Sequence, residues 1–216
     1  SLADDTLVVF TSDHGTQVGA HGINAWQKKR PYEESVAVPM IVRLPGVLDG
    51  GVRREVLTSP VDLLPTLCGL CDVPVPRTVE GHDLSNAWRG LSGAFEQDAV
   101  LMMNFGSAYD YLVDGLEWRA LRTKEFAYVR WLDGREELFD LRRDPLEMSN
   151  LIDDPDHQDL KTRLIDRMAE LMAGVGDELL PAHAYGDWYD AQRRIVRNAR
   201  GPLGDPEADP DWSLLG

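Results

Sequence analysis

An acidic residue and a histidine stand side by side directly after an apolar segment near the start of the chain. The segment runs from Thr6 to Phe10 and leads into Ser12-Asp13-His14-Gly15. A carboxylate oxygen and a neutral imidazole nitrogen are both ligands of divalent cations. Gly15 allows the sharp bend that would let two neighbouring side chains face one ion. Asp13 and His14 are therefore candidate metal ligands.

Each candidate also has a structural interpretation. Asp13 could cap a following helix with its side chain, and His14 could be a hydrogen-bonded histidine of the core. His21 lies in a glycine-flanked loop, where it could shape a pocket or merely pack. The basic cluster Lys28-Lys29-Arg30 could form a local positive site for an anion, although one of the two lysines is expected to be an ordinary surface charge.

The strand before Asp13 is the element that must position these residues. The run 6–11 is apolar and β-branched, which indicates a strand buried on both faces of an α/β sheet. Ligands of such sheets bind beyond the carboxyl ends of parallel strands. A second apolar run, 38–44, predicts the next strand. The intervening loop, 12–37, is long enough to be functional.

Helical patterns follow these two strands. The sequence predicts a short strand over 53–57, a helix over 59–71 that starts at Ser59-Pro60, and a helical turn near 84–88. Within the longer helix, one face at helical spacing carries Val61, Leu64, Cys68 and Cys71. This spacing favours core packing of the two cysteines over a redox or zinc site, since no second cysteine pair exists to complete a zinc shell.

The composition changes near residue 92, where a second domain is expected. It should contain an antiparallel meander, with Asp133-Gly134 as a hairpin turn, then a helix with an apolar stripe and a further helix. The predicted strands span 99–104, 117–122, 125–132 and 136–141, and the predicted helices span 156–173 and 185–199. The predicted domains are 1–91, 92–200 and an irregular tail, 201–216.

Composition narrows the class of function. The chain has 216 residues, 43% hydrophobic and 27% charged, which is typical of a globular protein. Its formal net charge of −15 argues against a nucleic-acid partner. No apolar run is long enough for a membrane helix. The segment Ser1–Asp4 has neither a basic start nor an apolar core, so no signal peptide is expected there.

An ordered series of motifs resembles a known family. SDHG, then GAHG, then a lysine four residues before YEES, then VPMIVRLPG is similar to the second half of the type I sulfatases, which belong to the alkaline-phosphatase-like superfamily. The VDLLPTL, VPVP and EGHDL segments and the stretch 137–155 extend the resemblance over about residues 5–155. The implied fold is α/β: the C-terminal part of a mixed or parallel sheet flanked by helices, plus a small subdomain with an antiparallel sheet and a helix.

The resemblance also implies roles for individual residues. Asp13 and His14 would bind the active-site metal, usually calcium, with magnesium or manganese as alternatives. Lys28 would contact the sulfate ester and act in catalysis. Lys29 is its rival, because the spacing from His21 to the lysine is slightly longer than in many members. Lys28 and His21 would bind the substrate, a sulfate monoester such as a sulfated sugar.

One part of the family's machinery is missing from this sequence. Sulfatases use a formylglycine nucleophile, made from the first residue of a Cys/Ser-x-Pro-x-Arg motif, and neither Cys68 nor Cys71 has this context. The resemblance therefore implies the C-terminal portion of a longer enzyme, inactive alone. Members are often periplasmic, secreted or lysosomal, which leaves the compartment open.

Two alternative functions stay open, and we also expect the chain to associate with another polypeptide. The chain could belong to a phosphonate or phosphodiester hydrolase of the same superfamily, or to a non-catalytic pseudo-enzyme that binds an anion or a partner. Because a sheet cut between strands exposes an edge, we expect the chain to associate with its missing N-terminal half or with a second copy, through residues 6–10 or 38–44.

Overall fold

The computed structural model describes residues 2–105, 117–192, 194–198, 201–204 and 213. They form two compact units: the first contains the described residues of Ser1–Asp13, Val38–Asp98 and Gly204–Gly216, and the second those of His14–Ala37 and Ala99–Leu203. The predicted domain division at 91 and 200 stays a prediction, because compactness alone does not define a domain. In chain order the elements are β1 (Val8–Thr11), α1 (Glu33–Val36), β2 (Met40–Arg43), α2 (Pro60–Leu70), α3 (Ser85–Arg89), β3 (Val100–Asn104), β4 (Trp118–Arg122), β5 (Phe126–Trp131), β6 (Glu136–Asp140), α4 (Gln158–Gly174), β7 (Arg197–Asn198) and β8 (Gly201–Pro202).

In the first unit, β1 and β2 form an antiparallel pair in which Phe10 lies opposite Ile41. Both predicted strands are confirmed. The prediction that the first is buried on both faces is wrong, because Val8 is 48% exposed and Phe10 is 60% exposed. Among the described residues each strand has the other as its single neighbour. The pairing is antiparallel, so the rule about carboxyl ends of parallel strands does not apply to this pair.

The helix α2 confirms the predicted helix but not its predicted core face. Val61, Leu64 and Cys71 are exposed, and the buried residues are Asp62, Pro65, Thr66 and Leu70. Buried polar groups need hydrogen-bond partners, and these residues have them. Asp62 accepts hydrogen bonds from the amides of Ser59 at 2.7 Å and His82 at 2.9 Å, and the Thr66 hydroxyl accepts one from the Leu84 amide at 3.0 Å. The apolar spacing failed to predict the buried face because that face of α2 includes polar side chains, Asp62 and Thr66, which bind backbone amides.

Two smaller predictions in this unit have opposite outcomes. The helical turn near 84–88 is confirmed as α3. The strand over 53–57 is wrong, because these residues form no regular element.

The second unit is built on the meander β3-β4-β5-β6, which is antiparallel throughout as predicted. Helix α4 packs on one face, where Leu164 and Met168 join Leu121, Tyr128 and Leu138 in a buried cluster. The predicted apolar stripe of this helix is therefore confirmed. The other face carries a second cluster around Trp118 and Trp131, with Ala120 and Val129.

The segment after α4 departs from the predicted helix over 185–199. It forms a 3₁₀ helix, Ala182–Trp188, and then an isolated bridge between Tyr189 and Ile195. Asp177, just upstream, forms a buried ion pair with Arg119 and accepts a hydrogen bond from the Tyr185 hydroxyl. Most of the predicted irregular tail lies outside the described residues. None of the described helices has the length and apolar character needed to cross a membrane.

Candidate active site

The loop between β1 and β2 folds back on itself at Gly15. The Gly15 amide donates a hydrogen bond to the Ser35 carbonyl at 2.8 Å, and a Cβ at Gly15 would lie 1.9 Å from the Glu34 carbonyl oxygen. Only glycine fits so close an approach. The buried Gln17 adds a side-chain hydrogen bond to the Ser35 hydroxyl at 2.5 Å. These contacts hold the start of the loop, Gly15 and Gln17, against α1, which lies near the end of the loop.

His14 and Lys28 meet within this loop. The Lys28 ammonium donates to Nε2 of His14 at 2.9 Å, so Nε2 must carry the lone pair. Nδ1 of His14 then donates to the Gly15 carbonyl at 2.8 Å. A histidine whose Nδ1–H is held by a carbonyl is the arrangement common among metal ligands. In this structure Nε2 accepts the hydrogen bond from Lys28, and metal binding by His14 stays a prediction. His14 is half-buried and is not a core histidine.

Asp13 is the last residue of the first segment of the first unit, two residues after β1 ends, and is exposed. It accepts a hydrogen bond from the Ser12 hydroxyl at 3.2 Å and lies at the edge of an open cavity of about 280 Å³ that also involves Thr11, Met40 and Ser59. The next helical turn in the chain is Ala20–Gly22, preceded by Gly19. Asp13 is therefore not a helix cap.

His21 is packed rather than open to the surface. Its ring stacks on Tyr32 with centroids 4.0 Å apart, and its Nε2 lies 3.6 Å from Oε2 of Glu34. Tyr32 donates to Glu137 at 3.1 Å, and burial together with this carboxylate raises the pKa of Tyr32 to about 12. His21 thus links the loop to the meander, and its contact with substrate stays a prediction.

The two lysines have different surroundings. The Lys28 side chain is exposed and contacts His14. In Lys29 it is the backbone carbonyl that is held, by two side chains of the meander. The Lys29 carbonyl accepts hydrogen bonds from the indole N–H of Trp118 at 2.7 Å and from the side-chain amide, Nδ2, of Asn104 at 3.1 Å. The adjacent Arg30 lies over the Trp131 ring at 5.1 Å.

A buried carboxylate holds the other end of the loop. Oε2 of Glu147 accepts the Glu33 amide, the first of α1, at 2.6 Å, and Arg122 pairs with the Glu33 carboxylate at 2.6 Å. Burial raises the pKa of Glu147 to about 7, against the opposing effects of that amide and Arg122.

Sequence reasoning missed Glu147, Trp118 and Asn104. No local signal could reveal them, because the residues they bind lie 75 to 114 positions away.

Comparison with known proteins identifies the family. Residues 19–174 match the family of N-sulphoglucosamine sulphohydrolase C-terminal domains. The chain belongs to the sulfatase family. It is 33% identical to the ulvan-active sulfatase of Formosa agariphila over 82% of its own length and 34% of that protein. The chain thus spans about a third of the curated relatives it matches.

Solved structures confirm the fold of this sulfatase domain. One is of a protein in complex with its substrate D-glucosamine-2-N,6-O-disulfate, with TM-score 0.70 and 25% identity over 79% of this chain and 34% of that one. Another is the phosphonate monoester hydrolase of Agrobacterium radiobacter, with TM-score 0.68 and 27% identity over 79% of this chain and 35% of that one. The expected alkaline-phosphatase-like, mixed α/β fold is confirmed.

Proposed function

We propose that the enzyme containing this sulfatase domain hydrolyses sulfate monoesters and that the loop from His14 to Ala37 supplies part of its active site. The observation that carries the proposal is the 2.9 Å contact between the Lys28 ammonium and Nε2 of His14. A lysine beside a histidine that could bind a metal suits an anionic ester, because the ammonium and the metal ion would then face the same sulfate.

Asp13 and His14 would supply two of the ligands that a divalent cation needs. The Asp13 carboxylate is a hard oxygen donor, and His14 has the tautomer in which Nε2 carries the lone pair that a metal would need in place of Lys28. No group of three or more histidine, cysteine or acidic residues in the described part of the chain could hold a metal. Asp13 and His14 would therefore be two ligands of a shell that the rest of the enzyme completes. Calcium is the proposed ion, with magnesium or manganese as alternatives, and it would neutralise charge on the sulfate oxygens.

Lys28 is the catalytic residue proposed in this chain. Its ammonium would donate hydrogen bonds to the sulfate ester and stabilise the negative charge that develops on the departing alcohol oxygen as the S–O bond breaks. His21 would act near the substrate by holding the loop through Tyr32. The formylglycine nucleophile would come from outside this sequence, since neither Cys68 nor Cys71 starts a Cys-x-Pro-x-Arg motif.

The proposed substrate is a sulfated sugar. The support is a structural neighbour whose substrate is D-glucosamine-2-N,6-O-disulfate. The second candidate function is phosphonate or phosphodiester hydrolysis, which is favoured by a phosphonate monoester hydrolase of nearly the same structural similarity.

The test uses the full-length enzyme with an aryl sulfate, an aryl phosphonate and an aryl phosphate diester in parallel. We expect the sulfate to have the highest kcat/KM, and a higher value for either phosphorus ester would favour the second candidate. No turnover of any of them, with retained sulfate binding, would favour a pseudo-enzyme.

Paired lysine variants test the assignment within the same enzyme. Lys28→Ala should lower kcat by roughly a hundredfold, as expected for loss of a group that stabilises transition-state charge. Lys29→Ala keeps the bound carbonyl and should stay within about fivefold of the wild type, because a polar contact of the lost side chain is worth only about 1 kcal/mol. Equal losses in the two variants would contradict the role of Lys28. The 216-residue chain alone should show no turnover of the aryl sulfate.

A further inference from the structure

The two donors that bind the Lys29 carbonyl are themselves a matched pair. Asn104 and Trp118 are directly opposite one another in the β3–β4 ladder, so both side chains leave the same end of the meander. Trp118 is only 4% exposed and packs against Ala120, Val129 and Trp131. A carbonyl oxygen has two lone pairs, and these donors use both.

Lys28 lies between two bound carbonyls. On its N-terminal side the Gln27 carbonyl accepts the Gln17 amide at 2.9 Å. On its C-terminal side the Lys29 carbonyl accepts Trp118 and Asn104. The backbone that carries Lys28 is thus fixed one residue away in each direction, while its side chain is exposed.

This arrangement matters because a lysine is hard to place accurately. Its four-carbon side chain loses much of its rotamer freedom when it is held in one position, and this loss opposes accurate placement. A mobile backbone would add to that cost, and a small displacement of a catalytic group costs much of its effect. Binding the neighbouring carbonyls removes the backbone part of the cost before substrate arrives.

We propose that Trp118, with Asn104, is a positioning residue for Lys28, acting through the Lys29 carbonyl. The inference rests on the proposed function of Lys28. It assigns the small antiparallel sheet a part in the reaction, because the sheet holds the backbone of the loop that carries the Lys28 ammonium.

The chain offers a matched control for Trp118. Trp131 belongs to the same buried cluster, and its indole nitrogen has no hydrogen-bond partner among the described residues. Trp118→Phe and Trp131→Phe each remove one indole N–H and part of one ring from that cluster. Only the first removes a hydrogen bond to the Lys28 loop, and Trp131→Phe keeps an aromatic ring for Arg30, which lies over the Trp131 ring.

The kinetic test is a double-mutant cycle in the full-length enzyme with an aryl sulfate. Trp118→Phe should lower kcat about tenfold with KM within about twofold, and Trp131→Phe should change kcat less than about twofold. In a Lys28→Ala background the Trp118→Phe effect should shrink below about twofold, because the two residues act as one unit. An equal loss in both backgrounds, or equal losses for the two tryptophan variants, would overturn the inference.

A second measurement separates this inference from the proposed function. In full-length enzyme carrying ¹³C-dimethylated lysines, the Lys28 resonance, assigned with Lys28→Arg, should shift in Trp118→Phe and not in Trp131→Phe. An unchanged resonance in Trp118→Phe would overturn the positioning role. A shifted resonance together with unaltered turnover in Lys28→Ala would instead refute the catalytic role of Lys28 while the positioning stands.

Discussion

Replacing Glu147 with glutamine should change how the stability of the protein depends on pH. Glu147 is 2% exposed, and its Oε2 accepts the Glu33 amide at 2.6 Å. Its Oε1 has no hydrogen-bond partner in the described part of the chain. Glutamine keeps the shape and the acceptor oxygen but cannot ionise. The substitution therefore isolates the cost of burying the charge.

The magnitude follows from the pKa. Burial raises the pKa of Glu147 from its ordinary 4.5 to about 7. Below pH 4.5 the carboxyl is protonated in both the folded and the unfolded chain. Between 4.5 and about 7 the unfolded chain loses the proton and the folded chain keeps it, so the free energy of unfolding falls as the pH rises. The whole change amounts to roughly 3 kcal/mol.

The assay is urea denaturation from pH 4.5 to 8, followed by tryptophan fluorescence, since Trp118 and Trp131 are buried in the same unit. The quantity of interest is the free energy of unfolding of Glu147→Gln minus that of the wild type. It should rise by about 3 kcal/mol between pH 4.5 and 8. In Asp166→Asn, an exposed position of α4, the corresponding difference should be flat. A flat difference for Glu147→Gln as well would refute the reasoning.

Three further predictions concern the loop, the metal and the strand pair. Gly15→Ala should destabilise the protein by about 2 kcal/mol or more, because its Cβ would lie 1.9 Å from the Glu34 carbonyl oxygen. Gly174→Ala, with open space around it, is the control, and equal denaturation midpoints for the two would contradict the close approach. Asp13→Ala in the full-length enzyme should lower calcium affinity about tenfold and turnover with it, and near-normal turnover with unchanged metal content would show that Asp13 is not a ligand. The isolated chain should associate through β1 and β2, and Phe10→Lys should weaken this, because Phe10 and Ile41 are exposed. Light scattering after size exclusion would settle the matter, and a wild-type monomer with protected amides at 6–10 would count against association.

Local sequence patterns determined most elements of this protein. The meander and α4 could be predicted because alternating and helical apolar spacing over 99–141 and 156–173 reflects packing between neighbours in the chain. Motifs such as SDHG and YEES indicated the sulfatase family, since they join chemistry-bearing residues at fixed short spacings. His14 and Lys28 were candidates on that ground, and the structure brings them together.

Patterns failed where burial depends on distant partners. The apolar face of α2 is exposed, while Asp62 and Thr66 are buried because they bind backbone groups of residues 59, 82 and 84. The helix expected over 185–199 is replaced by a 3₁₀ helix after Asp177, which is held by the buried Arg119.

Only the tertiary structure decided how the loop with Lys28 is held. Trp118 and Glu147 look like ordinary residues of a strand and a turn in the sequence, and each binds a backbone group of the loop from 89 and 114 positions away. Hydrogen bonds of this kind depend on where two backbones meet after folding, and no periodicity or composition encodes that distance. The sequence also left open which of Lys28 and Lys29 lies beside His14, and the fold places Lys28 there, while its contact with substrate stays a prediction. The loop's closure at Gly15 and the two donors on Lys29 direct one lysine toward His14 and bind the backbone of the other.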